Sequence, residues 1–371
     1  MIPSAPDARG ADIRALHVIT STQRRGAETF AVDLAAALSA TGLRSDVVAL
    51  TAGPAAAGTT LDVPALGPST LAPATLRALR RRAERATVVV AHGSRTLPAS
   101  VLALAGRRAP IVYRSIGDPV AWSASGRRRA STRLLLGRTS GVVALWPGAA
   151  DALRSLHGLR ADRVHVIPNA VPADRCPVPD PAARAAARAR LGVPSGVPLV
   201  ACIGSLSAEK QVDAAIDAVT HLPDTHLLVV GDGPRSADLH AQARSAAPGR
   251  VHLVGTLPGP AAALAAADLV VLASRTEGMP GVLIEAGLSG RAAVATDVGG
   301  VSEIVVDNET GVLVAAAPTD TLAARLADAI PPALARQAEL GAAARARCLD
   351  RFEIEPVAAR WRTLLTALAG P

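Results

Sequence analysis

The sequence predicts an α/β protein made of two doubly wound, Rossmann-like domains that face one another across a cleft. Three observations carry this reading. The 371 residues exceed what one hydrophobic core usually organises, so two domains are the natural division. Short apolar, Val- and Ile-bearing runs alternate from end to end with Ala-, Leu- and Arg-rich segments of helical period, the pattern of βαβ units around parallel sheets. Half the residues are apolar yet only 2% are aromatic, so the cores must be filled by Ala, Val and Leu, which suits small-residue helices laid on branched strands.

In the first half, strands are expected at 16–20, 46–50, 87–91, 111–115, 141–145 and 164–167, with helices in the gaps. Pro168-Asn169-Ala170-Val171-Pro172 then closes the first domain, because prolines stop the last strand and a proline-rich stretch through Pro181 precedes the next helix. A second series of strands follows at 199–203, 226–230, 251–254, 269–273, 292–296 and 311–314. Domains are therefore expected at 1–172 and 173–354, with no low-complexity tail or short-period repeat in either. Ligands of such open sheets bind beyond the carboxyl ends of the strands, so the loops that follow each strand carry the chemistry.

Composition narrows the classes. The first residues, which include Asp7, Arg9 and Asp12, offer no apolar run that would serve as a signal sequence, and no later stretch reaches the roughly 18 to 20 apolar residues needed to span a bilayer. A cytoplasmic protein is expected. Cys176, Cys202 and Cys348 are odd in number, far apart and without C-x-x-C spacing, so they are read as reduced and structural, with no metal site. The net charge of +8 is unevenly spread: residues 1–172 hold 22 arginines against 10 acidic residues, a net of +12, which leaves −4 for the remainder. Arginine clusters at 80–82 with Arg85, at 107–108 and at 127–129 could meet an anionic lipid surface or a phosphorylated acceptor, although such runs are more often solvated helix faces. No nucleic-acid partner is expected, since stacking aromatics are nearly absent and no recognition motif occurs.

The richest segment is Glu277-Gly-Met-Pro-Gly-Val-Leu-Ile-Glu285, between the strand ending near Ser274 and a helix through Ser289. Pro280 and Gly281 let the chain turn into that helix and leave the N–H groups of Gly281, Val282 and Leu283 free, where dipole and donors together suit a phosphate. Glu277 precedes this opening and Glu285 lies inside the helix. Carboxylates at both ends of a phosphate cradle can accept hydrogen bonds from hydroxyls on either side of a diphosphate. Eight residues of continuous helix rise about 12 Å, beyond the roughly 5 to 9.5 Å of glycosidase carboxyl pairs, so a ligand clamp fits better than a hydrolytic pair. A capping and a surface glutamate are the bland alternative.

Lys210, in Gly204-Ser-Leu-Ser-Ala-Glu-Lys210, follows the first strand of the second domain and is the sole lysine among 39 basic residues. In a chain that otherwise uses arginine, it suggests a compact ammonium beside phosphate, against the alternative of a solvated first-turn lysine. Gly231-Asp-Gly-Pro234 ends the next strand and can bring backbone close to a ligand, although a bare G-x-G is a weak signal. Gly255-Thr256-Leu257 is either a wall for a planar base or an ordinary turn. In the first half, Arg25-Gly26-Ala27-Glu28 joins the first strand to a long helix, and Gly26 leaves room for a ligand. His92 ends the third expected strand, where it can bond a reacting sugar or serve as a satisfied structural histidine. Arg114 and Asp118 flank the next strand end and are candidates for contact with an acceptor.

Taken in order, Pro168-Asn169, Lys210, Gly231-Asp-Gly-Pro234, Glu277-x7-Glu285 and Gly299-Gly300 with Glu303 resemble glycosyltransferase family 4 over nearly the full length. The resemblance implies the glycosyltransferase B fold, with a donor site on the C-terminal domain and a last helix within 355–371, containing Trp361, that crosses back to the N-terminal domain. It further implies that Glu277 contacts the transferred sugar, Glu285 the ribose and Lys210 the diphosphate, with Gly26 beside the donor phosphates and His92 near sugar and acceptor. Ser205, Gly233, Thr256, Leu257, Gly281, Val282 and Leu283 complete the expected donor site. The activity implied is retaining transfer of a hexosyl unit from a UDP- or GDP-sugar to a lipid-linked or glycan acceptor, as in cell-envelope synthesis, with no metal or other cofactor required.

Three positions depart from the family pattern. Ser205 stands where an arginine is usual, Ala27 replaces the second glycine of a pair, and Ala170 replaces glycine after Asn169. Arg275 and Arg25 are candidates to replace the missing positive charge. The rival readings are a sugar-nucleotide epimerase or phosphorylase on the same scaffold, which would need an acid–base pair of its own, and a non-enzymatic two-domain binder.

Overall fold

The computed structural model describes residues 13–53, 60–122 and 125–370. The first sheet is seven-stranded and wholly parallel, built from β1 (Arg14–Ser21), β2 (Arg44–Thr51), β3 (Ala65–Gly67), β4 (Val88–His92), β5 (Ile111–Arg114), β6 (Gly141–Ala144) and β7 (Val164–Val166), in the order β3-β2-β1-β4-β5-β6-β7. The second has six parallel strands: β8 (Leu199–Ile203), β9 (His226–Val230), β10 (Val251–Leu253), β11 (Leu269–Leu272), β12 (Ala292–Thr296) and β13 (Gly311–Val314), ordered β10-β9-β8-β11-β12-β13. The fold is thus the pair of doubly wound domains that the alternating pattern predicts.

Every strand expected from the sequence is present, four of them with the expected ends and the rest with ends moved by at most two residues. β3 is the addition. Its three residues lie at the sheet edge, partly exposed, and Ala-Leu-Gly carries no β-branched or aromatic residue, so nothing in the sequence marks it as a strand. The central strands betray themselves because both faces are covered: all five residues of β4 and of β12 are buried.

In both sheets the chain winds outward from one strand, then returns to its other side. The direction reverses between β1 and β4 in the first sheet and between β8 and β11 in the second. Loops diverge at such a switch point and open a crevice beyond the carboxyl ends. The loops placed there are the Gly26 and His92 loops in one sheet and the Lys210 and Glu277 loops in the other.

The last helix, Ile354–Ala369, is capped by the Glu353 carboxylate, which accepts the Glu355 N–H at 2.8 Å. Its apolar face buries Val357, Trp361, Leu364 and Leu365 in one core with Phe30, Leu34, Val88 and Val90 of the first sheet and its Gly26–Ala40 helix. The chain therefore crosses between the sheets twice, and the crossings touch: the Val171 N–H donates to the Phe352 carbonyl at 3.0 Å. Among the described residues no helix is long and apolar enough to cross a membrane. The three cysteines are free and buried.

Candidate functional site

At the switch point of the second sheet, the loops after β8 and β11 are tied together by two bonds. The Arg275 N–H donates to the Glu209 carbonyl at 2.8 Å, and Lys210 Nζ donates to Glu277 Oε1 at 2.5 Å. Lys210 reaches back because the chain forms a single 3-10 turn, Ala208–Lys210, before the Val212–Thr220 helix begins. Gln211 makes the junction in the left-handed region, with φ 43°, and its side chain is fixed by donating to the Ala317 carbonyl at 3.2 Å. The same Glu277 oxygen also accepts the Ser274 hydroxyl at 2.6 Å. Sequence reasoning missed Ser274; a serine three residues before a glutamate is too ordinary to signal anything.

The helix that follows runs Gly281–Leu288 with Pro280 at its N-cap, and no side chain caps it. One expectation needs correction. The Leu283 N–H is turned onto the Pro280 carbonyl at 3.2 Å and the Leu283 side chain is buried, so this residue belongs to the first turn and the core. Gly281 and Val282 are partly exposed at the helix mouth.

The glycine loops pack onto this site. A Cβ on Gly231 would lie 1.8 Å from the Gly204 carbonyl oxygen, and one on Gly233 would lie 2.6 Å from that of Leu206, so only glycine lets these strand ends approach. The Gly231 N–H then donates to the Gly255 carbonyl at 2.8 Å, which brings Thr256, exposed, and Leu257, partly buried, to the same edge. Ser205 is exposed on the adjoining loop, as is Arg275.

Glu285 is partly buried on the inner side of the Gly281 helix. Burial pushes its carboxyl up to about 7, opposed by the neighbouring Arg175 guanidinium and reinforced by Asp33. Arg175 and Asp33 form an ion pair with each other, so Glu285 faces a charged seam between the crossing segment and the first domain's Gly26–Ala40 helix. The sequence places Glu285 on a helix but gives no sign of these two neighbours.

In the first domain Gly26 begins its helix in open space, with no atom within 4 Å of a Cβ built there, and no side chain caps that helix. His92 and Arg114 are placed differently from the expectation. His92 is 2% exposed; its Nε2 lies 3.0 Å from Nδ1 of buried His17, and its ring faces Phe30 and Trp361. Burial, with the charges of His17 and Arg114, holds its pKa well below the usual value. It does not open on the crevice in this conformation; Ser94 and Arg95, two and three residues on, are the exposed ones.

Arg114 is 1% exposed, stacked 3.8 Å over the Phe30 ring and donating from Nη2 to Asn169 Oδ1 at 3.0 Å. Burial lowers its pKa to about 9, opposed by Glu28, so it stays charged at neutral pH. This is a buried clamp, which corrects its reading as an acceptor contact. Asp118 accepts the Val120 N–H at 2.9 Å and so turns the chain into a short helix.

The two domains meet at the Glu277 loop. Gly278 abuts Ile116 and Gly117, Gly300 abuts Trp146, and Asn169 holds Met279. Behind Met279 lies a cavity of about 270 Å³ against the crossing segments, lined by Pro168, Glu303, Arg351 and Arg360 among others; it lies apart from Lys210 and Glu285. Among the described residues no three His, Cys, Asp or Glu side chains gather to hold a metal ion. Chemically, the second domain's crevice offers an uncapped helix mouth, one ammonium and a carboxylate on one edge, with a second carboxylate deeper along the same helix.

Comparison with known proteins gives a consistent picture. Residues 24–175 match the family model described as Glycosyltransferase Family 4, and residues 197–331 match that described as Glycosyl transferases group 1. The chain is 33% identical over 228 residues to the alpha-maltose-1-phosphate synthase of Mycolicibacterium smegmatis, covering 57% of this chain and 59% of that protein. It is 36% identical over 221 residues to the D-inositol 3-phosphate glycosyltransferase of Xylanimonas cellulosilytica, covering 55% and 52%. A GDP-mannose-dependent alpha-(1-6)-phosphatidylinositol monomannoside mannosyltransferase of M. smegmatis is 31% identical over 287 residues, covering 72% and 74%. The match thus spans little more than half the length of the first two relatives. Among solved structures, Anabaena Alr3699/HepE in complex with UDP-glucose superposes with a TM-score of 0.82 at 23% identity, over 96% of this chain and 100% of that one. WaaG, a glycosyltransferase involved in lipopolysaccharide biosynthesis, does so with a TM-score of 0.73 at 18% identity, over 95% and 99%. At these identities the structural likeness is one of fold.

Proposed function

Because this chain belongs to the group 1 glycosyltransferases of family 4, we propose that it transfers a hexosyl unit from a UDP- or GDP-sugar to a hydroxyl acceptor, with retention of anomeric configuration. The observation that carries this reading is the Lys210–Glu277 ion pair beside the uncapped Gly281 helix. Ammonium and carboxylate satisfy one another. A diphosphate seated on the Gly281 and Val282 amides would draw Lys210 to itself and free Glu277 to accept hydrogen bonds from sugar hydroxyls. Glu285 then serves the ribose, and the edge at Gly233, Thr256 and Leu257 serves the base, with Gly26 opposite the phosphates.

In the step proposed, the acceptor oxygen bonds to the anomeric carbon on the face from which the diphosphate departs. The bond from that carbon to the β-phosphate oxygen breaks, and the hydroxyl proton passes to the leaving phosphate. The helix dipole and Lys210 stabilise the charge that grows on the diphosphate, so this reading calls for no metal and no protein nucleophile. Arg275 or Arg25, both exposed, would supply the charge that Ser205 does not.

The basic first domain supports a peripheral contact with an anionic membrane. In the Gly126–Leu136 helix Arg127, Arg128, Arg129 and Arg133 are exposed beside Leu134, which is 68% exposed. A lipid-linked or glycan acceptor fits that placement.

The test is a thermal-shift screen of UDP- and GDP-hexoses, followed by transfer from the stabilising donor, with the anomeric configuration of the product read by NMR. Stabilisation by one donor and a product of unchanged configuration support the reading. Inversion refutes the retaining step, an epimerised sugar moves the chain to another reaction class, and no stabilisation by any donor removes the reading altogether.

A further inference from the structure

We propose that Asn169, held by Arg114, is a positioning residue: it sets the direction of the Glu277 loop and of the Gly281 helix mouth from across the domain boundary. The inference rests on the donor site proposed above.

Asn169 is 7% exposed and makes three hydrogen bonds to two residues. Its N–H donates to Met279 Sδ at 3.2 Å, its Nδ2 donates to the Met279 carbonyl at 3.2 Å, and its Oδ1 accepts from Arg114 Nη2 at 3.0 Å. The order matters. Arg114 has only donors, so the amide atom facing it must be the oxygen, and Nδ2 is thereby aimed at Met279. Arg114 itself is immobilised by burial and by the Phe30 ring. The Met279 carbonyl belongs to the peptide that leads into Pro280, the N-cap of the helix. Rotating that peptide would swing the Gly281 and Val282 amides, while on the other side the Gly278 carbonyl is pinned by the Gly300 N–H at 2.7 Å. One anchor of the loop thus lies within its own domain, and the other is presented from the first domain by Arg114.

Asn169→Asp separates positioning from packing. Aspartate keeps the shape and the Arg114 contact but sets an acceptor against the Met279 carbonyl; Asn169→Ala removes both bonds. In Asn169→Asp we expect the dissociation constant for UDP or GDP to rise about ten- to hundredfold, the scale of a buried carbonyl left unpaired. Amide hydrogen exchange in the ligand-free chain should quicken at Leu283, whose N–H is bonded to the Pro280 carbonyl, and leave β8, β11 and β12 unchanged. Should Asn169→Ala fail to fold, Asn169→Asp still decides the matter. Unchanged exchange at Leu283 in Asn169→Asp overturns the proposal whatever the chain transfers. Quickened exchange at Leu283 alone, in a protein whose parent binds neither nucleotide, supports the coupling and counts against the donor site instead.

Discussion

A Cβ built on Gly278 would lie 1.8 Å from the carbonyl oxygen of Ile116, so the loop bearing Glu277 is pressed against the loop that follows β5 in the other domain. The obstructing atom is backbone, which no rotamer change can relieve. Gly278→Ala must therefore part the domains or displace the loop. We expect transfer to fall at least about tenfold and stability to drop by roughly 1 to 3 kcal/mol, the scale of overpacking. Gly26→Ala meets open space and should change stability by no more than about 0.5 kcal/mol. Urea denaturation of both variants, alongside transfer assays of Gly278→Ala, checks the contrast; a fully active Gly278→Ala chain would show that this contact does not matter.

The Lys210–Glu277 pair predicts two different defects. Glu277→Gln keeps the shape and the Ser274 contact while losing the charge, so transfer should fall by about 10²- to 10³-fold with the fold retained. Lys210→Ala should instead weaken donor binding by about ten- to hundredfold through loss of a charge-assisted phosphate contact. Calorimetric titration with UDP, combined with kinetics, separates the two. Equal donor affinity in the parent and in Lys210→Ala would assign the ammonium a purely internal role.

Glu285 makes stability depend on pH in a set direction. Its carboxyl is raised from 4.5 to about 7, chiefly by burial, so between those values the folded chain keeps a proton that the unfolded chain has released. Its contribution therefore weakens stability as pH climbs through this window and levels off above about 7. Glu285→Gln removes that slope and should be more stable than the parent at pH 8 by roughly 1 to 3 kcal/mol, with little difference at pH 4. Urea titrations at the two pH values check it. A variant that keeps the parent's slope would place the raised group elsewhere.

What the sequence reveals and what it hides follow from the range of the interactions. β4 and β12 are legible because a strand covered on both faces must be continuously apolar, whereas Ala65–Gly67 at an edge has no such obligation. Lys210 and Glu277 stand out by rarity and by the turn chemistry of Pro280-Gly281. Which partner each takes is set by the meeting of two loops 67 residues apart, and no local pattern encodes that. Arg114 misleads for the same reason. A charged residue at a strand end is normally exposed, and the Phe30 ring and Asn169 amide that bury this one come from distant segments. His92 ends its strand as expected, but strand-end position does not say which way the ring points, and His17 with Trp361 draws it inward.

Trp361 ties the end of the chain to its beginning. It lies on the last helix, is fully buried, and shares a core with Phe30, Leu34, Val88 and Val90. Its ring also approaches His92, at 6.4 Å between centroids. Truncating it opens a cavity in the first domain although the residue lies beyond the second in sequence. Trp361→Ala should cost about 3 to 5 kcal/mol, the range for large aromatic truncations, and Trp361→Phe distinctly less. Hydrogen exchange locates the damage: protection should fall in β1, β4 and the Gly26–Ala40 helix while β8 and β11 hold theirs, because the second sheet's core is built without Trp361. Loss of protection confined to the second sheet would mean that the returning helix is anchored by something other than this side chain.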